Sequence, residues 1–583
     1  MPFQEAPDFF TILHYCPYFQ SKYLWSAPGY QKRFRIFARK CFISDFKSIR
    51  SGLVRSDHTI YSINKLKNKL IIITLLFVVT VFLSAVPAEA QTLDYKLETD
   101  AGISHGTTPL WLNANKYGVS SLDESNGYLR TEVYKSLKGF LNEEIKSEGR
   151  GNGETSESKW DWGAGLDIVV PHHYTSDIII QQAYVEGRWL HGILTIGAKE
   201  FPEEQKNPLL SSGSQTLGIN ARPIPQIRLE LPDYIKVFNW LGFKGHIAYG
   251  WATDTKWQER TADPESKWAK NMLLHTKSGF LRFGHPSSHF TFETGIEMAC
   301  QFGGTTYNHG KAIKRGTKLK DYWQAFLPGG DGDVGEGVYA NVEGNGLGSL
   351  MSRFNLDEPT WKASFYIDHF FDDHSQLFFL DFDGYGDTDN DFRKHKYTRY
   401  IFYTPRDGLF GWEVNLKRGT WLKDIVLEYL HTTDQSGSVY HDSEPGLAAH
   451  VAGRDDYYNH YFYPGWQHWG QSMGNPLYRS PVYNDDGIID FKDTRFIAWH
   501  LGFSGTPIPL LDYRILATFQ KGWGTYNNPY VPIERNFSML MEAAYQLHHG
   551  WRVKGAFGLD HGKILGNNVG FNLTISKSGI FKL

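Results

Sequence analysis

Cysteine is nearly missing from this chain. Its 583 residues contain 3, and Cys16 and Cys41 fall near the N-terminus, so only Cys300 serves the long remainder. A single thiol closes no internal disulfide and builds no metal cluster. An excess of one charge is also missing: 60 Lys and Arg stand against 63 Asp and Glu, a net charge of −3. A nucleic-acid partner would need a basic face, so none is expected. Beyond residue 90 no apolar run approaches the ~20 residues of a membrane-spanning helix. H-E-x-x-H does not occur, which removes one signpost of hydrolytic chemistry. The chain is read as a non-enzyme without a cofactor or a structural metal.

The strongest local feature that is there concerns targeting. Lys65, Lys67 and Lys69 precede the uncharged run Leu70 to Leu83, and Ala88 and Ala90 stand just before Gln91. A basic segment, a short apolar core and a small-residue Ala-x-Ala site are the three parts of a secretory signal peptide. Residues 65–90 are therefore expected to be a leader cleaved after Ala90, with an internal membrane anchor as the other reading. Residues 1–64 are basic and aromatic without clear periodicity. They read as a disordered or mis-annotated extension, although no Met occurs between Met1 and Met272 to supply another start.

From Gln91 onward the dominant pattern has period two. In Phe290–Phe302 the residues Phe290, Phe292, Ile296, Met298, Cys300 and Phe302 fall on one face, and Thr291, Glu293, Glu297 and Gln301 on the other. Val569, Phe571, Leu573 and Ile575 alternate with Gly570, Asn572, Thr574 and Ser576 in the same way. Such alternation predicts strands with one apolar and one polar face. A soluble sandwich or propeller would bury the apolar face, whereas an outer-membrane barrel turns it to lipid. The apolar faces are crowded with Trp, Tyr and Phe. The polar faces carry Lys244, Glu293, Glu297, Glu413, Lys417, Glu428 and Glu542, more charge than a packed interior accepts. The reading is an all-β fold, a large transmembrane barrel over 91–583. At ~27 residues per strand with its loop this gives about 18 antiparallel strands, and single-chain bacterial barrels favour even numbers.

Motif searches return little. Gly330, Gly332 and Gly335 fit G-x-G-x-x-G without the strand and helix that a dinucleotide site requires. Asp381 to Asp391 resembles a calcium loop, but position six counted from Asp387 is Phe392 instead of Gly, so an EF-hand fails; clustered carboxylates could still hold a divalent cation weakly.

The stretches from Leu194 to Tyr234, "EGNGLGS", "LEYLHTTDQSG" and "GRDDYYNHYFYPGWQHWGQSMGNPL" together resemble the capsule assembly Wzi family of Gram-negative outer membranes. The likeness runs from about Thr108 to the C-terminus, and Asn220 to Gln226 is its most specific part. It implies an outer-membrane barrel with short helical elements on the periplasmic side. It also implies a lectin-like, non-catalytic role in holding capsular or other surface polysaccharide, with outer-membrane lipid and other capsule export and assembly proteins as partners. A passive porin is the alternative. The chain departs from the family in charged stretches from Lys311 to Asp333 and from Asp381 to Asp391.

Two stretches stand out as sites. Pro223 and Pro225 cannot donate to a strand ladder, so Arg222, Pro223, Pro225 and Arg228 are assigned to backbone that leaves the sheet to plug or line the lumen. The two arginines are expected to pair with carboxylates, with Glu203, Glu204 and Asp233 as candidates. Gly453 to Gly470 is the expected sugar-contact region. Flat rings of Tyr457, Tyr458, Tyr461, Trp466 and Trp469 suit pyranose faces, Asp455 accepts from hydroxyls and Arg454 pairs with uronates. The competing reading is that these rings belong to the aromatic belt of a membrane interface.

Overall fold

The computed structural model describes residues 92–137, 160–327, 344–372, 406–440 and 451–582, without the side chains of 436–440 and 451–454. The expected leader, the extension 1–64 and the loops around Gly332 and Asp387 lie outside the described residues. The wall is an 18-stranded sheet in which every neighbour is antiparallel and the first strand pairs with both the second and the last, so it closes on itself. Its strands are β1 Thr92–His105, β2 Ser125–Lys135, β3 Trp160–His172, β4 Ile179–Trp189, β5 Gly192–Ala198, β6 Gln226–Phe238, β7 Leu241–Trp251, β8 Leu273–Phe283 and β9 Phe290–Phe302. They continue with β10 Asn345–Asp357, β11 Trp361–Asp372, β12 Gly408–Leu416, β13 Asp424–His431, β14 Phe496–Ile508, β15 Leu511–Gly524, β16 Pro529–Gln546, β17 Trp551–Gly562 and β18 Asn568–Lys582. No helix among the described residues is long and apolar enough to cross a membrane. The chain crosses with strands, as an outer-membrane β-barrel.

The alternation read from sequence decides which way each side chain points. Ile103, Leu129, Ile180, Ile247, Trp499, Phe571 and Leu573 face outward and are exposed, whereas Asp100, Asp167, Glu297, Asp368, Glu428, His500 and Asp560 face the lumen and are buried. An exposed apolar exterior around a polar interior is stable only in lipid. Rings of Phe238, Trp240, Phe283, Phe292, Phe354, Phe365 and Trp412 follow one another along one end of the wall, with centroids 4.6 to 6.3 Å apart. This is an arc of the aromatic girdle expected where strands cross the bilayer interface.

The two ends of the barrel differ. At the girdle end the connections 190–191, 239–240, 284–289, 358–360, 417–423, 509–510 and 547–550 are short, and only 136–159 is long. At the other end 106–124, 199–225, 252–272, 303–344, 373–407 and 432–495 are long. Barrels of this kind keep short turns in the periplasm and long loops outside, which makes the long-connection end extracellular. The described α-helices, α1 Leu110–Asn113, α2 Thr255–Thr261 and α3 Leu319–Phe326, belong to that end, and a short 3-10 turn, His548–Gly550, lies at the girdle end. The long periplasmic connection, where the family likeness would place helices, falls mostly outside the described residues.

The lumen is filled by its own loops. Leu110, Trp111, Leu210, Ile224, Tyr366, Phe370, Tyr457, Tyr458, Trp466, Leu477, Tyr478 and Phe491 belong to one buried apolar cluster drawn from α1, from 199–225 and from 455–495, packed on the inner wall.

Candidate functional site

Segment 199–225 leaves β5 and returns to β6, and between them it crosses the barrel. Arg353 on β10 donates to the Gln205 carbonyl at 2.8 Å. His500 on β14 reaches the Leu210 carbonyl at 2.8 Å, and Arg514 on β15 donates to the Leu209 carbonyl at 2.9 Å. In a ring of 18 strands, β5 and β14 are diametrically opposed. A segment outside any ladder must satisfy its backbone by other means. Here the wall carboxylates do so: Glu428 accepts from Ser212 N at 2.7 Å and from the Ser211 hydroxyl at 2.6 Å, Asp368 from Gln215 N at 3.2 Å, and Glu297 from Leu217 N at 3.0 Å. Lys206, with no side-chain exposure, forms an ion pair with Asp368. Glu203 accepts from Ser214 N at 2.9 Å within the segment, and burial holds its carboxyl up at about 7.

Arg222 and Arg228 do not pair with Glu203, Glu204 or Asp233. By residue 222 the segment has climbed back to the extracellular rim, where Arg222 donates to the hydroxyls of Ser176 and Thr175, each at 2.7 Å, and lies 4.4 Å over the Trp469 ring. Burial pulls its pKa down to about 10, a shift that Tyr174 and Asp254 oppose only in part. Arg228 has entered β6, where side chains two apart share a face. It pairs with Glu230 at 2.7 Å and stacks 4.1 Å over Phe201. Glu204 is taken by Lys244, and Asp233 is exposed. Pro223 marks the climb to the wall, and the Pro225 carbonyl accepts from Trp251 N at 3.1 Å as the chain rejoins the sheet. Between this segment and the wall of β6 to β9 lies a cavity of about 120 Å³, lined by Arg222, Pro223, Arg228, His246, Thr276 and Glu297 among others.

The second stretch locks onto the first. Trp466 donates to the Thr216 carbonyl at 2.8 Å, the Tyr458 hydroxyl donates to the Gln215 carbonyl, and His468 Nδ1 meets the Arg222 carbonyl at 2.9 Å. Tyr457 donates to Asp407 at 2.9 Å. Tyr457, Tyr458 and Trp466 are fully buried, so their rings meet protein and not sugar. Asp455 is half-buried, with its amide donating to the Gln435 carbonyl at 3.1 Å. The Arg454 side chain lies outside the described residues, although its backbone pairs with Ser436. Tyr461, 74% exposed, and half-buried Trp469 are the two aromatics of the set that meet solvent. Tyr461 borders Phe462, whose ring carries the Arg315 guanidinium 3.6 Å away, and Trp268 stacks on Tyr307 at 3.9 Å nearby on the same rim. Trp268, Tyr307 and Arg315 were not singled out in the sequence. Their connection to 460–463 runs through Lys267, which donates to the His460 carbonyl at 2.8 Å, and no local spacing reveals it. No group of three or more His, Cys, Asp or Glu that could hold a metal occurs among the described residues.

No protein-family model matches the chain, and no curated protein does. Solved structures do. The chain is similar to Wzi, an outer-membrane protein involved in group 1 capsule assembly in Escherichia coli and described as a carbohydrate-binding β-barrel: 14% identity, 83% of this chain and 84% of that one covered, TM-score 0.49. It is also similar to OccAB2 of Acinetobacter baumannii, at 8% identity over 84% of this chain and 98% of that one with a TM-score of 0.40. OprD of Pseudomonas aeruginosa matches at 9% identity over 85% and 98%, with a TM-score of 0.39.

Proposed function

We propose that this chain is a non-catalytic outer-membrane barrel that binds capsular or another surface polysaccharide at its extracellular end and helps attach or assemble it on the cell. The observation that carries this reading is the filled lumen: a segment that leaves β5 and is tied to β14 across the ring, and a buried aromatic cluster, occupy the space that a diffusion channel keeps for solute. Such a barrel serves as a rigid base for its loops. The aromatics left at the rim, Tyr461 and Trp469 with Phe462, Trp268 and Tyr307, offer flat faces to sugar rings, and Arg454 and Asp455 belong to the same loop. Other capsule export and assembly proteins are the partners this role calls for. Export would begin with cleavage after Ala90. The test is a deletion strain complemented with the full chain or with Tyr461→Ala/Trp469→Ala, scored for cell-bound against shed polysaccharide. Shedding by the double variant at normal barrel levels supports the reading, and wild-type retention by the deletion strain ends it.

A porin is the second reading, favoured by the ionic wall on the periplasmic side of the crossing segment. There Arg353 pairs with Glu413, and Arg514 and Lys554 with Glu542. Steady single-channel conductance of the purified barrel in planar bilayers would favour it.

A further inference from the structure

Helix α3 lies on the outside of the barrel. On β7 to β9 the register places Tyr249 opposite His275, and His275 opposite Cys300, on the face that also carries Ile247 and Phe302, outward from the lumen-facing Thr276 and Glu297. The helix rests on that outer face. Tyr249 donates to the Tyr322 carbonyl at 2.9 Å, Phe302 and Tyr322 meet edge to face at 5.1 Å, and His275 and Phe326 are 5.6 Å apart. Lys277, also outward, donates to the Phe326 carbonyl and so closes the C-terminal turn, where a cation is favoured. At the N-terminus the Asp321 carboxylate accepts from Lys318 N at 2.5 Å. The helix is thus fixed at both ends, alongside the upper part of strands whose lower ends carry the aromatic arc.

Among the described residues its other face is open, apart from the stacking of Trp323 on Phe326 of the same helix. Leu319 is 89% exposed, Trp323 61% and Leu327 48%. Spaced four apart, they form one ridge, and Ile247, Trp251 and Leu281 are exposed on the outer face of β7 and β8, the wall on which the helix rests. Lys318, at the start of the helix, and Lys311 and Lys314, on the short strand Lys311–Lys314 that leads into it, are exposed. An apolar ridge flanked by lysines at the rim of a transmembrane wall matches a bilayer interface, with acyl chains below and anionic headgroups above.

We propose that α3 is an interfacial anchor. Leu319, Trp323 and Leu327 insert among the acyl chains of the outer leaflet, and Lys311, Lys314 and Lys318 bind the phosphates of its anionic lipid. The occupant is membrane lipid; free phosphate lacks the acyl chains that the ridge needs.

The test uses the full chain with Cys16→Ser, Cys41→Ser and Cys300→Ser and a spin label at Trp323→Cys, reconstituted in phosphatidylcholine vesicles with and without lipid A, after heat-modifiable migration has established folding. Collision with oxygen exceeding collision with a water-soluble nickel chelate is expected, and the reverse at this position overturns the insertion. The second arm measures retention of lipid A by native mass spectrometry for the wild type and for the Lys311→Gln/Lys314→Gln/Lys318→Gln variant. Binding about a hundredfold weaker is expected, from roughly fivefold for each lysine beside an anionic surface. Equal retention by the variant, or displacement of lipid A from the wild type by inorganic phosphate alone, overturns the headgroup assignment.

Discussion

Glu203 shows how a single side chain ties the filling of the lumen to proton concentration. An ordinary glutamate ionises near 4.5, but burial, opposed by Lys206 and by the Ser214 amide, holds this one up at about 7. Between those values the unfolded chain releases a proton that the folded chain keeps, so stability falls as pH rises through the window and levels off above about 7. Glu203→Gln removes this contribution. Urea midpoints at roughly pH 5 and pH 8 should differ less for the variant than for the wild type, and an unchanged difference would show that Glu203 is not the group responsible. Trp466 and Tyr461 make the contrasting pair. Trp466→Ala empties a fully buried site and strips the Thr216 carbonyl of its donor, a loss of about 3–5 kcal/mol. Tyr461→Ala, at an exposed ring, should leave stability within about 0.5 kcal/mol. Equal unfolding midpoints for the two variants would contradict the burial that separates them.

At the scale of elements, the crossing segment is the part to test. Replacing residues 207–219 with a Gly-Ser linker of equal length removes the bonds to Glu428, Asp368, Glu297 and His500 while leaving every strand pairing intact. Planar-bilayer recordings should then show large, frequent openings where the parent chain shows little conductance, and identical traces would mean that the segment does not block the lumen. The register of this element to the wall could not be read from the sequence. Pro223 and Pro225 announced that backbone leaves the sheet, and the alternation in Phe290–Phe302 placed Glu297 inward. No local pattern says that a carboxylate on β9 will hold an amide of the β5–β6 connection. The aromatics of 453–470 posed the same difficulty. Tyr and Trp score alike in a sugar site, an interface belt and a core, and only the discovery that the lumen is filled assigns Tyr457, Tyr458 and Trp466 to the core. By contrast the facing of Val569 to Ser576 was legible, because a period-two pattern is imposed by lipid on one side and water or polar groups on the other, residue by residue, and the strand number followed from the length of chain such strands and their loops consume.

For the molecule as a whole, everything depends on one seam. β1 and β18 pair from Thr92 with Lys582 to His105 with Val569. Inside the lumen Asp100 stitches them, accepting from Asn572 at 3.0 Å and from Thr574 at 2.6 Å. Asp100→Ala leaves both donors buried and unpaired, a cost of about 1–3 kcal/mol. It should lower the temperature at which the barrel changes its electrophoretic mobility, and an unchanged temperature would mean that the seam is held by its ladder alone.

That seam also sets a sequence of events. Its two strands are the most distant in the wall along the chain, so the entropy of joining them is met last and the contact is the least local one the fold contains. Until they meet, the sheet has two raw edges, each a row of unsatisfied amides and carbonyls that any other extended chain can extend. The vulnerable period in the life of this protein is therefore the interval between translocation and closure, when the finished barrel's greatest asset, the absence of edges, does not yet exist.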